Sequence, residues 1–383
     1  MSDFTDEPVE NWQPGPDVTP ALYKKWRDPR RGVEPAENLS NPVWEWLIRT
    51  RISAYQANQH FHGPDSMTAG PAWCFARHGQ SRTALPDGRR LLVAGEHEDS
   101  YDPDFFIYND VVVWHPDDTI VVHGYPETEF PPTDFHSATL VGNRLLLIGT
   151  LGYVDARKPG HTQVLSLDTE SLRIEQIETT GDIPGWIYGH QAQLQDDGIF
   201  ITAGDIYHQR GISENIDDWL LDLHSFRWQR LTDRQWPRFE FVRKDGEMNH
   251  LWQMRTERDM REIQARSQGP VELQESLRRT LELLKSTGSP SSPDWELMDQ
   301  LYRPAVEHEY VPRDEHNFDE HNVYRIKIGD VIARYVEDSH AIVLTVEGSL
   351  PPATLDQLAT DLQGKLTRLE EAEFVFRRWE YGP

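Results

Sequence analysis

Three stretches of the chain repeat one pattern: residues 71–124, PAWCFARHGQSRTALPDGRRLLVAGEHEDSYDPDFFIYNDVVVWHPDDTIVVHG; residues 131–177, PPTDFHSATLVGNRLLLIGTLGYVDARKPGHTQVLSLDTESLRIEQI; and residues 183–232, IPGWIYGHQAQLQDDGIFITAGDIYHQRGISENIDDWLLDLHSFRWQRLT. Each runs from a proline approach through a polar strand start to an apolar run that ends in glycine. A long loop, a second apolar run and a hairpin into a last strand follow. The strand-ending glycines, Gly95, Gly149 and Gly204, stand about 54 residues apart.

Each copy resolves into four short strands. Leu91–Ala94, Leu145–Ile148 and Ile199–Thr202 are apolar runs bounded by turn residues, as buried strands are. The hairpins before them turn at Pro86-Asp87-Gly88, Gly142-Asn143 and Asp196-Asp197-Gly198, which supply the positive φ that tight turns need. Val111–Trp114, Val164–Leu167 and Trp219–Leu223 follow the loops as third strands, and further turns lead into the fourth. Four antiparallel strands per unit at this period predict a β-propeller of three recognisable blades over residues 71–237.

The same residues resemble the kelch repeat. The likeness lies in Asn109-Asp110-Val111-Val112, in Asp217–Leu223 with Trp228, in Gly181-Asp182-Ile183-Pro184, and in Arg77-His78-Gly79-Gln80-Ser81 with its counterparts His136-Ser137 and Gly189-His190. The kelch signature has two adjacent glycines at the end of the second strand; here one glycine follows Ala94, Ile148 or Ala203. The resemblance implies a kelch-like propeller, whole or partial. Kelch proteins serve such different tasks that it implies no particular activity.

Composition narrows the function classes. A formal net charge of −26 disfavours non-specific attraction to nucleic acid or an anionic membrane. From Leu91 to Asp134 there are eleven acidic residues and no Lys or Arg, which suits a partner of basic character. The lone Cys74 excludes an intrachain disulfide and suits a reducing compartment, and no apolar run reaches the roughly 18 residues of a membrane helix. With no visible secretory signal at the N-terminus, a cytoplasmic location is expected.

The flanks read differently. Residues 1–39, rich in proline and charge, read as an extended or disordered arm, and residues 40–70 as a helix from Ser40 with an apolar stripe of Trp44, Leu47, Ile48, Ile52 and Tyr55, packed on the propeller. Residues 238–322 read as a helical and charged connector, with one helix opening near Pro270. Residues 323–383 read as a small ββαβ domain with strands over Val323–Val336, Ala341–Glu347 and Phe374–Phe376. The fold class is thus mainly β with α+β additions. Three blades leave two apolar end faces, which the flanks cover in a monomer or which a second chain completes in a dimer; the Trp44 stripe favours the monomer.

Topology places the candidate site. In an antiparallel meander, the loops between strands two and three share one end with the approach to strand one. That face therefore gathers three long loops, bearing Tyr101, Tyr153 and Tyr207, together with Arg77, Gln80, His136 and His190. Glu98, Asp99, Asp102 and Asp104 make the first loop acidic, with His97 beside them. The loop offers hard ligands for a cation but lacks the spacing and central glycine of an EF-hand, so a solvated binding loop is expected and no metal or cofactor is assigned. A second cluster, with His308, His316 and His321 among carboxylates, matches no helical ligand pair. Phosphate-binding, dinucleotide, HExxH and GxSxG signatures are missing. These residues predict a non-enzymatic scaffold that binds a protein or peptide on its acidic loop face; the alternative is a metal-dependent enzyme using the same face.

Overall fold

The computed structural model describes residues 8–10, 12–64, 69–97, 105–208, 211–266, 271–286, 290, 293–312 and 322–379. The chain is mainly β, with seven α-helices among the described residues, and divides into two units, Met1–Arg234 and Gln235–Pro383.

In the first unit each sequence copy forms its own antiparallel sheet. Copy one pairs Ser81–Ala84, Arg90–Val93, Asp110–Trp114 and Ile120–Gly124 in that order, with the short strand Glu37–Asn38 added at the outer edge. Copy two pairs Ser137–Val141, Arg144–Ile148, Val164–Asp168 and Ile174–Gln176. Copy three pairs Gln191–Gln195, Gly198–Thr202, Trp219–Asp222 and Arg227–Arg230, with Thr180–Gly181 alongside in parallel.

Because side chains alternate across a strand, each apolar run divides between two cores. Leu91, Val93, Val111 and Val113 meet Leu145, Leu147, Leu165 and Leu167 between the first and second sheets. Leu146, Ile148 and Val164 from the other face of the second sheet meet Ile199, Ile201, Trp219, Leu221 and Trp228 of the third. The third sheet's remaining face carries Gln191, Gln193, Gln195 and Gln229, all exposed, beside half-buried Phe200 and Leu220.

The first sheet's outer face, Leu92, Val112, Ile120 and Val122, is covered by the N-terminal residues. Helix α1 (Pro20–Trp26) opens with the Thr19 hydroxyl accepting the Leu22 N–H, and buries Tyr23. The stretch expected as one helix from Ser40 is two. Asn41, not Ser40, caps α2 (Pro42–Thr50), and Arg51 ends it at φ +57°. Ser53 and Gln56 then form a capping box that starts α3 (Ala54–His60). Ser40 instead accepts the Val122 N–H, tying the arm to the sheet. Trp44 lies fully buried, stacked on Trp73 at 4.8 Å, with its Nε1 donating to the Trp26 carbonyl. The arm expected to be extended or disordered therefore contributes Val18, Tyr23 and Leu39 to a core.

The strand-ending glycines all have positive φ: +91° at Gly95, +76° at Gly149 and +77° at Gly204. Ala94 and Ala203 before them are also left-handed, at +54° and +57°, so two copies keep a double left-handed step that glycine would adopt without strain. A side chain at Gly149 would run into the Ile187 carbonyl of the next copy.

The second unit is organised on a six-stranded antiparallel sheet in the order Glu309–Val311, Val323–Ile328, Val331–Glu337, Ile342–Glu347, Arg238–Arg243 and Phe374–Trp379. Helices α4 (Leu251–Arg266), α5 (Val271–Ser286), α6 (Trp295–Asp299) and α7 (Pro352–Glu370) accompany it. Leu355, Leu358, Leu362, Leu366 and Leu369 of α7 pack on Phe239, Phe241, Ile342 and Leu344. Two sequence expectations change. Val323–Val336 is a hairpin that turns at Gly329-Asp330 rather than one strand. The segment 238–322 is no separate connector: Arg238–Arg243 sits between Ile342–Glu347 and Phe374–Trp379, and α4 and α6 bury Leu251, Met254 and Met298 in the same core.

Two outcomes check this account. Gly149→Val should lower unfolding free energy by about 1–3 kcal/mol, read from urea titrations, because it adds both a left-handed penalty and a backbone clash. Removing residues 1–62 should bare the Leu92/Val112/Ile120/Val122 face and give aggregation or non-cooperative melting; a soluble, cooperative dimer from that fragment would mean a second chain covers the face instead.

Candidate functional site

The three loops meet. The Tyr153 hydroxyl of the second loop accepts the Ile107 N–H of the first at 2.9 Å, and its ring meets Phe105 edge-on. The Arg157 guanidinium lies over the Tyr207 ring of the third loop at 5.2 Å, while its own N–H groups hold the Leu151 and Gly152 carbonyls. The Trp186 indole donates to the Leu151 carbonyl, and Trp186 pairs with Tyr207 in a small sheet of Trp186–Tyr188, Asp205–His208 and Gly211–Glu214. Tyr153 and Tyr207 are thus on one platform, linked through the second loop. Asp99, Tyr101, Asp102 and Asp104 lie outside the described residues. His97 is buried, with Nδ1 at the Ala76 carbonyl, 3.2 Å away.

His136 and His190 form a ladder between sheets. His136 Nε2 lies 2.8 Å from the Ser81 hydroxyl of the first copy, and His190 Nε2 lies 2.8 Å from the Ser137 hydroxyl of the second. One residue earlier the main chain makes the matching rungs: Phe135 N–H donates to the Gly79 carbonyl at 3.0 Å, and Gly189 N–H to the Phe135 carbonyl at 2.7 Å. Gly79, Phe135 and Gly189 all have positive φ. Both imidazoles are buried, and burial pushes their pKa down, to about 3 for His136 and about 4 for His190. Gln80 takes the equivalent place in the first copy, its amide facing the Ala94 carbonyl at 3.5 Å.

The acidic run from Leu91 to Asp134 is less open than its composition indicates. Asp110 is buried in a two-pronged ion pair with Arg77, whose guanidinium also lies 3.4 Å from the centre of the Tyr108 ring. Asp118 pairs with Arg49 of α2, and Glu127 with Arg31. These cations come from outside the acidic run, so the run's own composition could not reveal them. Asp117 and Glu129 are exposed, and Glu98 lies with Asp99, Asp102 and Asp104 outside the described residues.

A pair of carboxyl groups at the base of the platform has no sequence signal, since Glu96 and Asp134 are far apart in the chain. Asp134 is fully buried; its Oδ1 accepts from the Thr150 hydroxyl and the Gly152 N–H, and the Glu96 side chain lies beside it. Burial raises the Asp134 pKa above the usual carboxylate value, against the opposing effect of these hydrogen bonds. Tyr188 nearby has its hydroxyl pKa raised by burial and then by Asp205. Cys74 is buried with its thiol toward the Ala76 carbonyl. Among the described residues no three His, Cys, Asp or Glu side chains are grouped to hold a metal ion. His308 turns its Nδ1 to the Val306 carbonyl, and His316 and His321 lie outside the described residues.

The ladder carries a pH signature. In the unfolded chain both histidines take up protons near pH 6.5, whereas in the folded chain they remain neutral to about pH 4. The unfolded state therefore binds more protons between pH 4 and 6.5, and stability falls as pH drops through that window, by a few kcal/mol. Replacing both by Gln should flatten the dependence of Tm on pH between about 4 and 6.5 relative to the parent.

No protein-family model matches the chain, and no curated protein matches it. Among solved structures the chain is similar to one titled "Structure of YjhT", with a TM-score of 0.32 and 15% identity over 42% of this chain and 53% of that one. The chain spans about half the length of that protein, and a likeness at this level carries no weight for fold or function.

Proposed function

We propose that residues 71–237 are a kelch-like partial β-propeller whose loop face is a non-enzymatic recognition surface for a protein or peptide segment of basic character. The observation that carries this reading is the joined platform: Tyr153 fixes the first loop to the second, and Arg157 fixes the second to the third. Long loops held on a rigid sheet array suit recognition, and half-buried tyrosines offer contact area at low entropic cost. With Asp110, Asp118 and Glu127 already paired to arginines, the reading assigns the attraction for a cationic partner to the first loop, through Asp99, Asp102 and Asp104 together with His97 and Tyr101. A monomer in the cytoplasm completes the reading: α2 covers the first sheet within the chain, and the only cysteine is a buried free thiol.

The competing reading, a metal-dependent enzyme on this face with His136 and His190 as ligands, is disfavoured by their geometry. Both are buried and turn Nε2 to a serine hydroxyl between sheets.

The test is charge reversal. With fluorescein-labelled lysine- and arginine-rich peptides as probes, changing Asp99, Asp102 and Asp104 together to Lys should weaken binding at least about tenfold at low salt and flatten its salt dependence, with Tm unchanged. Affinity at low salt equal to the parent's would remove the first loop from the site.

A further inference from the structure

The second unit contains a cavity of about 180 Å³ lined by Arg255, Arg258, Arg303 and Arg325, by Tyr302, Tyr310 and Tyr324, and by Met298 and Asp299. Four guanidinium groups around one small cavity stand out in a chain of net charge −26. It lies where α4, α6 and the strands Glu309–Val311 and Val323–Ile328 come together.

The groups differ in what they already do. Arg255 is bound to Glu337 at 2.5 Å, and the Tyr302 hydroxyl donates to the same carboxylate at 2.7 Å, which makes that corner a fixed wall. Tyr302 lies against Tyr324 at 4.4 Å, and the Arg255 guanidinium lies over the Tyr324 ring at 4.9 Å, so the wall is flat and aromatic. Arg258 holds Asp299 at 2.6 Å toward solvent. Arg303 is exposed, lies over the half-exposed Tyr310 ring at 5.6 Å, and has no carboxylate partner among the described residues. A planar guanidinium fork matches the oxygens of carboxylates and phosphoryl groups, and a dianion with three oxygens can engage more than one fork at once. The half-exposed Tyr310 adds aromatic area for a ring or short carbon skeleton.

We propose that this cavity binds a small phosphate monoester, its phosphoryl group held by Arg303 beside the Arg258–Asp299 pair and its organic part laid on the Tyr310 ring. The site is separate from the loop platform of the first unit and does not depend on its function.

The test uses the full chain and isothermal titration with phenyl phosphate, inorganic phosphate and benzoate at matched ionic strength. Phenyl phosphate should bind saturably with one site per chain, at least about tenfold tighter than either other probe. Arg303→Gln should weaken it by about tenfold or more, the usual loss for a charge-assisted hydrogen bond, without shifting Tm, because Arg303 is exposed. Tyr310→Ser should weaken phenyl phosphate more than inorganic phosphate. The proposal is overturned if phenyl phosphate shows no saturable binding up to about 10 mM, on the order of the weakest specific affinities. It is equally overturned if inorganic phosphate binds as tightly as the monoester, or if affinity survives both Arg303→Gln and Arg303→Glu.

Discussion

The first unit depends on a single recurrent constraint, the rung that joins one sheet to the next. A lone four-stranded sheet with apolar residues on both faces is not stable in water, and contacts between flat apolar faces do not by themselves fix how two sheets are rotated. The main-chain bonds from Gly79 to Phe135 and from Phe135 to Gly189 do fix it, because each passes through the same position of successive copies. Holding Phe135 at φ +45° costs about 1–2 kcal/mol, the usual left-handed penalty, and that cost is offset by two hydrogen bonds and the neighbouring histidine–serine bonds. The imidazoles serve here as neutral spacers whose value lies in staying uncharged.

The two ends of the array are chemically different. At the first sheet, Trp44, Trp73 and Tyr108 build an aromatic seal, and Arg77 threads between Trp73 and Tyr108 to reach Asp110. That buried pair orders the Cys74–Arg77 approach, because Arg77 also holds the Cys74 and Ala94 carbonyls. At the third sheet the corresponding face is glutamine-rich, with apolar bulk limited to Phe200 and Leu220. Amide side chains tolerate water there and need no seal.

What could be read from the sequence was local and periodic. The alternation of Leu91 to Val93, Leu145 to Ile148 and Ile199 to Ile201 specified the strands, and Gly88, Gly142 and Asp196 the hairpins, because these signals sit within a few residues of one another. The shared loop face followed from meander topology alone, which brought Tyr153 and Tyr207 together. What escaped was set by distant partners. Arg49 and Arg31 neutralise carboxylates dozens of residues away, Glu96 meets Asp134 across two copies, and Arg238–Arg243 pairs with Phe374–Trp379 from the far end of the second unit. The division of residues 42–60 into two helices was legible in Ser53-x-x-Gln56, a start signal inside an otherwise continuous apolar stripe.

The aromatic seal on the first sheet also bears on folding order. Synthesis delivers α1 and α2 before the sheet they cover, then the sheets in the order in which they stack, so each new sheet meets a finished apolar face and a waiting Gly79 or Phe135 carbonyl. Among the described residues no apolar core joins the first sheet to the third, so folding does not wait for a closing contact across the whole repeat region. Loop-closure entropy is thus met in increments of one repeat, which keeps contact order low for a largely antiparallel array and shortens the time any apolar face stays open on the ribosome.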